Sequence, residues 1–125
     1  MILLTVEEII SLHKKLVLKT GGSDGLRDRG LLESAVYSAY GSFGDEEAYP
    51  TIEEKSARLA FSLISNHSFV DGNKRIGIVV MLVTLRLNKV NLEYTQEELV
   101  RLGLAIADSS ADYNEILDWI KKHKI

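Results

Sequence analysis

The chain has 125 residues, of which 46% are hydrophobic and 26% are charged, and its formal net charge at pH 7 is −3. This length and composition predict one globular domain, residues 1–125, with its own core. The acidic balance argues against a nucleic-acid or membrane-surface binder, and the absence of cysteine excludes disulfides and thiolate metal sites. We expect a cytoplasmic protein, because "MILLTVEE" at 1–8 lacks the basic region of a signal peptide and no apolar run approaches the ~20 residues of a membrane span.

Six helices are predicted along the chain. Three of them begin with the pattern T-x-x-E, a capping box in which the hydroxyl and the glutamate satisfy the first free N–H groups of the helix. Asp28 is a candidate cap for another helix, and the single proline, Pro50, lies just before a helix start. The predicted helices cover roughly 6–19, 29–40, 52–66, 74–88, 96–107 and 112–123.

The helix at 74–88 is the most apolar segment, since nine of the twelve residues 76–87 are apolar. A helix with apolar residues on all sides is buried on most sides. We therefore predict an all-α domain packed around this central helix, whose N-terminus would be a fixed platform.

Aromatic residues and histidines elsewhere are predicted to be structural. Trp119, with Ile116 and Ile120, has the spacing of a core stripe on one helix. His13 and His123 are predicted to be surface histidines.

The most polar cluster of the chain, "NHSFVDGNKR" at 66–75, directly precedes the central helix. Main-chain N–H groups at a helix N-terminus attract anions. Gly72 lets a ligand approach the backbone closely, and Lys74 and Arg75 add positive charge at the same place. This arrangement predicts a phosphate site formed by Gly72, Asn73, Lys74 and Arg75.

Three further residues give the cluster possible chemistry. A carboxylate beside bound phosphate, here Asp71, usually holds Mg²⁺. His67 lies four residues earlier and could accept a proton from a hydroxyl group at neutral pH, while Phe69 would seat the loop. Taken singly, these residues indicate only a turn and a histidine at a helix end. Their conjunction favours a phosphate-binding loop with a possible base.

The pattern H-x-F-x-D-G-N-K-R at 67–75 resembles the signature of the Fic/Doc (Fido) family, in particular its Doc, or death-on-curing, branch. A second block, "GGSDGLRDRGLLESAV" at 21–36, resembles the upstream segment G-x-x-G-L-R-D-x-G-x-L-E-S of that family. The two blocks occur in the same order as in the family, and the resemblance covers nearly the whole of 1–125. It implies a single Fido-type helical domain, ATP and Mg²⁺ as cofactors, and transfer of part of the nucleotide to a protein hydroxyl.

The resemblance also assigns roles by position. Arg27 and Asp28 match the upstream block, and a structural role is expected for both. In the loop, the implied roles are general base for His67, metal binding for Asp71, anion cradle for Gly72 and Asn73, and phosphate contacts for Lys74 and Arg75.

Two departures bear on the reaction. The AMP-transferring Fic branch has G-N-G-R and a second arginine three positions later, whereas this chain has Lys74 and Ile78 at those places. Doc-type proteins share the departure, hold the nucleotide reversed and transfer its γ-phosphate. The resemblance therefore implies a toxin of a type II toxin–antitoxin system that phosphorylates a protein such as translation elongation factor Tu. AMP transfer is the alternative, and a catalytically inactive nucleotide- or phosphopeptide-binding module is a second.

Partners are implied in the same way. Self-inhibiting Fic proteins carry [ST]-x-x-x-E-[GN]; the nearest match begins at Ser42, but a second glutamate follows the first, so we predict no internal brake. The resemblance then implies an antitoxin with a disordered segment that folds on binding. The segment 37–50 is a candidate flap for docking the target, with Tyr40, Phe43 and Tyr49 as contacts; a packed connecting loop is an equally supported alternative.

Overall fold

The computed structural model describes residues 1–43 and 46–125, without the side chains of residues 42 and 43. The prediction of an all-α class with six helices is confirmed for this part of the chain, and each predicted end is within one residue of the observed one. Within it no helix is long and apolar enough to cross a membrane. The elements are α1 (Val6–Thr20), α2 (Arg29–Tyr40), β1 (Ser42–Phe43), β2 (Glu46–Glu47), α3 (Ile52–Asn66), α4 (Asn73–Leu87), α5 (Gln96–Ala107) and α6 (Tyr113–His123).

Side-chain caps explain where most helices begin. The three predicted capping boxes form at Thr5, Thr51 and Thr95. Asp112 forms a fourth with Glu115, which a search for threonine alone does not find, and Asp28 caps α2. The start of α4 differs, because Gly72 at its N-cap position offers no side chain to bond the first N–H groups.

The centre of the fold is shared by α3 and α4. α3 packs against α2, α4, α5 and α6, while α4 also meets α1 and α5. The predicted central helix is therefore confirmed as part of the centre, and α3 joins it. Its role was less evident from the sequence because its buried face includes polar residues, among them Lys55 and Ser62. One apolar core lies between this pair and α5 and α6, and a second between the pair and α1 and α2.

Gly77 allows α3 and α4 to approach each other closely. A Cβ atom at Gly77 would lie 2.6 Å from Ile64 Cγ1 and 3.2 Å from the main-chain oxygen of Ala60. We expect Gly77→Ala to lower the free energy of unfolding by about 1–3 kcal/mol, because overpacking outweighs the better helix propensity of alanine. Urea denaturation measures the change. Gly103→Ala is the matched control, since its nearest contact would be 3.4 Å; equal stability of the two variants would contradict the close-packing explanation.

His123 joins the last helix to α5. Its Nε2 lies 2.7 Å from Glu98 Oε2, its Nδ1 lies 2.7 Å from the main-chain oxygen of Trp119, and its ring stacks on the indole. The prediction of a surface histidine is wrong here, because the side chain is only 12% exposed. The predicted core stripe is confirmed: Ile116 and Ile120 are fully buried, and Trp119 packs partly buried against them.

The His123–Glu98 pair predicts stability that depends on pH. The hydrogen bond that His123 donates to the Glu98 carboxylate raises the pKa of His123 above its ordinary 6.5, and the same bond lowers the pKa of Glu98 from 4.5 to about 2. The histidine therefore contributes stability below pH 6.5 and loses it as the pH rises through its folded pKa. The glutamate contributes above pH 4.5 and loses its contribution as the pH falls towards about 2.

Glu98→Gln tests this pair, because glutamine keeps the capping box with Thr95 but removes the charge. We expect the difference in the free energy of unfolding between the native chain and the variant to be largest between pH 4.5 and 6.5. The difference should shrink as the pH rises further. Urea denaturation at a series of pH values gives the difference directly, and one that stays constant with pH would rule out the ion pair as its source.

Candidate active site

The loop between α3 and α4, residues 67–72, is shaped by a left-handed residue at each end. His67 ends α3 with a φ of 51°, and Gly72 precedes α4 with a φ of 76°. Glycine adopts this conformation readily, whereas a histidine there is uncommon. The loop borders a cleft of about 420 Å³, and the structure brings all six predicted chemical residues to it. The lining residues are His67, Val70, Asp71, Gly72, Asn73, Lys74 and Arg75.

The upstream block holds this loop by main-chain contacts. Arg27 Nε donates to the main-chain oxygen of His67 at 2.7 Å, which satisfies a carbonyl at the end of α3. The N–H groups of Arg27 and Asp28 both donate to the main-chain oxygen of Ser68, and that of Val70 donates to Gly25. The structural role expected for Arg27 and Asp28 is confirmed, because one ties the end of α3 and the other caps α2.

Phe69 and Asn73 anchor the loop from within. Phe69 is 2% exposed and packs in the core beside α1 and α2. The Asn73 side chain bonds both main-chain groups of Phe69, accepting at 2.9 Å and donating at 3.0 Å. The Asn73 side-chain amide is therefore engaged in holding the loop.

The N-terminus of α4 is electropositive, in contrast to the N-termini of four other helices. Acidic residues occupy the first turn of α1, α3, α5 and α6, where they complement the helix dipole, whereas α4 has none there. Its first turn instead carries Lys74 and Arg75, and no side chain caps it. Cations at the positive end of a dipole are unfavourable unless an anion is bound, so this end of the cleft suits phosphate.

Asp71 is ionised at the edge of the cleft. Its carboxylate accepts from the N–H of Ser23 at 3.2 Å and from that of Gly72 at 2.8 Å, and these two bonds hold its pKa below the usual value. Arg75 Nη2 lies 3.8 Å away, and the Asp71 side chain is 48% exposed. The carboxylate is thus fixed by the backbone yet open to a ligand.

Arg75 and Lys74 are held differently. Arg75 Nη1 donates to Thr20 Oγ1 at 2.6 Å and to the main-chain oxygen of Gly21 at 2.8 Å, so the C-terminal end of α1 orients the guanidinium. Gly22 comes so close that a Cβ atom there would lie 2.6 Å from Asp71 Oδ2. Lys74 is exposed and its stem runs past Gly103 on α5. Its cation is therefore free to reach a ligand in the cleft.

His13 is the residue that the sequence analysis missed. It was predicted to lie on the surface, and this prediction is wrong, since it is 1% exposed beneath the loop. Its ring stacks on Phe69, and its Nε2 lies 2.7 Å from the main-chain oxygen of Asp71. The signal was available, because Ile9, His13 and Val17 recur every four residues and form the buried face of α1.

Of the predicted flap residues, Tyr40 and Tyr49 do not line this cleft. α3 begins after the flap and ends at Asn66, just before His67, and its 15 residues span about 22 Å. Tyr40 is turned inward, where burial raises its pKa to about 12, and the Phe43 side chain lies outside the described residues. Tyr49 packs edge-on against Tyr113 at 5.0 Å. Their role in docking a target stays a prediction.

The chain resembles known proteins over the regions that build this site. The family model of the Fic/DOC family matches residues 3–85, which include both the upstream block and the loop. Toxin Doc of Mycolicibacterium smegmatis is 40% identical over 72 residues, which cover 58% of this chain and 55% of that protein, so the match spans about half of the relative's length. Protein kinase doc of Escherichia phage P1 is 28% identical over 116 residues, 93% of this chain and 90% of that protein. The chain therefore belongs to the Fic/DOC family.

Proposed function

We propose that this protein is a Doc-type toxin that transfers the γ-phosphate of ATP to a hydroxyl group of a protein target. The observation that supports this most directly is the convergence, in one cleft, of an exposed histidine, an ionised carboxylate and an uncapped helix N-terminus with two cations. Translation elongation factor Tu is the target implied by the resemblance. The phage P1 relative is named a protein kinase, which supports the same type of reaction for this chain.

Each residue has a role that its position allows. The first N–H groups of α4, with Lys74 and Arg75, would bind phosphate oxygens. His67 is exposed at the end of α3, where it would accept the proton of the target hydroxyl as that oxygen attacks. Val70 is also exposed on the loop and offers an apolar contact beside the histidine. Positioning and charge stabilisation supply most of the catalysis in phosphoryl transfer.

The site fits Mg²⁺ with ATP better than a metal alone. In the described residues no group of three or more His, Cys, Asp or Glu side chains could hold an ion. Mg²⁺ needs only one or two carboxylates when phosphates and waters complete its octahedron, and Asp71 is such a carboxylate. When bound, ATP and Mg²⁺ would supply an activated phosphoryl group with part of its charge neutralised.

We prefer phosphate transfer to AMP transfer because the residues at positions 74 and 78 differ from those of the AMP-transferring branch. Lys74 places a side chain and a cation at the cleft where the AMP-transferring branch has a glycine. Ile78, at the place of the second arginine, is 8% exposed and apolar, so it gives no contact to a phosphate. A diphosphate would therefore lack both the room and the charge that the AMP-transferring orientation uses.

Parallel reactions with γ-³²P-ATP and α-³²P-ATP, each with a cell lysate, test this proposal. We expect label on a protein from the γ position and none from α. Lys74→Gly should reduce γ transfer more than tenfold, because a charge-assisted contact is worth roughly 1.5–3 kcal/mol. Label from α in the native chain would favour AMP transfer, and ATP binding without any transfer would favour an inactive binding module.

An antitoxin partner is part of the proposal. A mostly apolar groove of about 250 Å³ runs between α1, α4 and α5 and begins at Lys74 and Arg75. An amphipathic segment that folds on binding could cover its apolar walls, which include Leu16, Val79 and Leu99. An acidic residue of such a segment would also meet the two cations. Occupation of the groove would then block the phosphate site next to it.

A further inference from the structure

We propose that His13 is a positioning residue that fixes the turn between Asp71 and Gly72 and thereby aims the site carboxylate. The catalytic consequence rests on the proposed function, whereas the positioning itself rests on contacts within the chain. The sequence alone does not connect His13 with the reaction, because it lies on α1, 58 residues before Asp71.

The ring of His13 is held on two sides. It is 1% exposed on the face of α1 that also carries Ile9 and Val17, and it stacks on Phe69 with ring centroids 3.8 Å apart and an angle of 14° between the planes. Its Nε2 lies 2.7 Å from the main-chain oxygen of Asp71. Because a carbonyl oxygen only accepts, Nε2 carries the hydrogen and donates it.

That one hydrogen bond acts on the carboxylate through a rigid unit. The oxygen of Asp71 and the N–H of Gly72 belong to the same planar peptide group. His13 bonds the oxygen, and the N–H donates to Asp71 Oδ1 at 2.8 Å. Fixing the oxygen therefore fixes the direction of the N–H, and with it the position of the carboxylate.

The same side chain supports the start of α4 from below. A Cβ atom at Gly72 would lie 3.5 Å from His13 Nε2 and 3.6 Å from Val17 Cγ2, so α1 forms the floor of this turn. The other ring nitrogen, Nδ1, lies 3.9 Å from Asp24 Oδ1, beyond direct hydrogen-bond distance. An apolar residue would continue the stripe of Ile9 and Val17 equally well, and it would leave the Asp71 oxygen without its donor.

Two variants separate the donor from the packing. His13→Phe keeps a ring against Phe69 and removes the donor, whereas His13→Gln keeps an amide donor and removes the ring. Amide hydrogen exchange of Gly72 and of Ile76, which donates to the Gly72 oxygen, can be measured without ATP. We expect exchange to accelerate about tenfold or more in His13→Phe and to stay within about threefold of native in His13→Gln.

If the proposed function holds, the rate of phosphate transfer should also fall more in His13→Phe than in His13→Gln. The rate should fall about 10- to 100-fold in His13→Phe, as for loss of a group that orients a metal ligand, and recover to within about fivefold of native in His13→Gln. Thermal unfolding of each variant shows whether stability has changed in parallel. Native exchange in His13→Phe would overturn the proposal, and so would equal losses in both variants, which would indicate packing alone.

The native chain supplies a measurement that does not depend on either variant folding. NMR should show the His13 Hε2 proton and a coupling through the hydrogen bond to the Asp71 carbonyl carbon; its absence would overturn the contact. If the native chain transfers nothing from ATP, the proposed function fails, and the exchange rates still decide whether His13 positions the turn.

Discussion

His67→Ala should lower the rate of transfer from ATP by about 10²- to 10⁴-fold, the range typical for loss of a general base. The fold should survive, because the side chain is exposed and the contact that holds the residue is made by its main-chain oxygen to Arg27. ATP affinity should change little, since the phosphate donors belong to α4. Initial rates at saturating ATP, with calorimetric ATP titration, check both expectations.

The left-handed backbone of His67 calls for a matched control. At a φ of 51°, alanine adds some strain, whereas asparagine tolerates this region well. His67→Asn should therefore keep native stability and lose as much activity as His67→Ala. Native transfer rates in either variant would remove the histidine from the mechanism, and a loss confined to the less stable variant would point to the backbone instead.

The helices were predictable because their signals are local. Capping boxes act over three residues, so Thr5, Thr51 and Thr95 fixed three helix starts without any knowledge of the fold. The same locality identified the loop, whose chemical residues lie within nine positions. Cations in the first turn of α4 contradict the usual helix preference, and such a conflict is expected at a functional site.

What the sequence did not reveal is how distant segments hold the loop. His13 and Arg27 contact the main-chain oxygens of Asp71 and His67, and the N–H of Ser23 donates to the Asp71 carboxylate. No pattern within one segment indicates such partners. The burial of His13 was indicated by its spacing of four residues from Ile9 and from Val17 on α1. A single histidine on a helix is nevertheless predicted to be exposed until its neighbours are known.

These contacts make the Asp71 carboxylate both fixed and charged, so we expect its neutralisation to have a large effect on ATP binding with Mg²⁺. Asp71→Asn keeps the shape of the side chain and one acceptor oxygen, which can accept from the Gly72 N–H in place of Oδ1, but it removes the charge and replaces Oδ2, the acceptor for the Ser23 N–H, with an NH2 group. The low pKa of Asp71, caused first by the Ser23 N–H and then by the Gly72 N–H, means that the native group is ionised at neutral pH. A neutral amide there should bind Mg²⁺ poorly.

We therefore expect Asp71→Asn to weaken ATP binding in the presence of Mg²⁺ by at least the ~10- to 100-fold that loss of an outer metal contact costs, and to leave binding without Mg²⁺ nearly unchanged. Titration of each protein with ATP, with and without Mg²⁺, separates the loss of metal-dependent ATP binding from any loss of metal-independent binding. Asp118→Asn on α6 is the control for net charge, because that aspartate is exposed and lies outside the cleft. If the native chain binds ATP equally well with and without Mg²⁺, Asp71 does not hold the metal. Its carboxylate would then serve only to join the Ser23 N–H to the turn at Gly72.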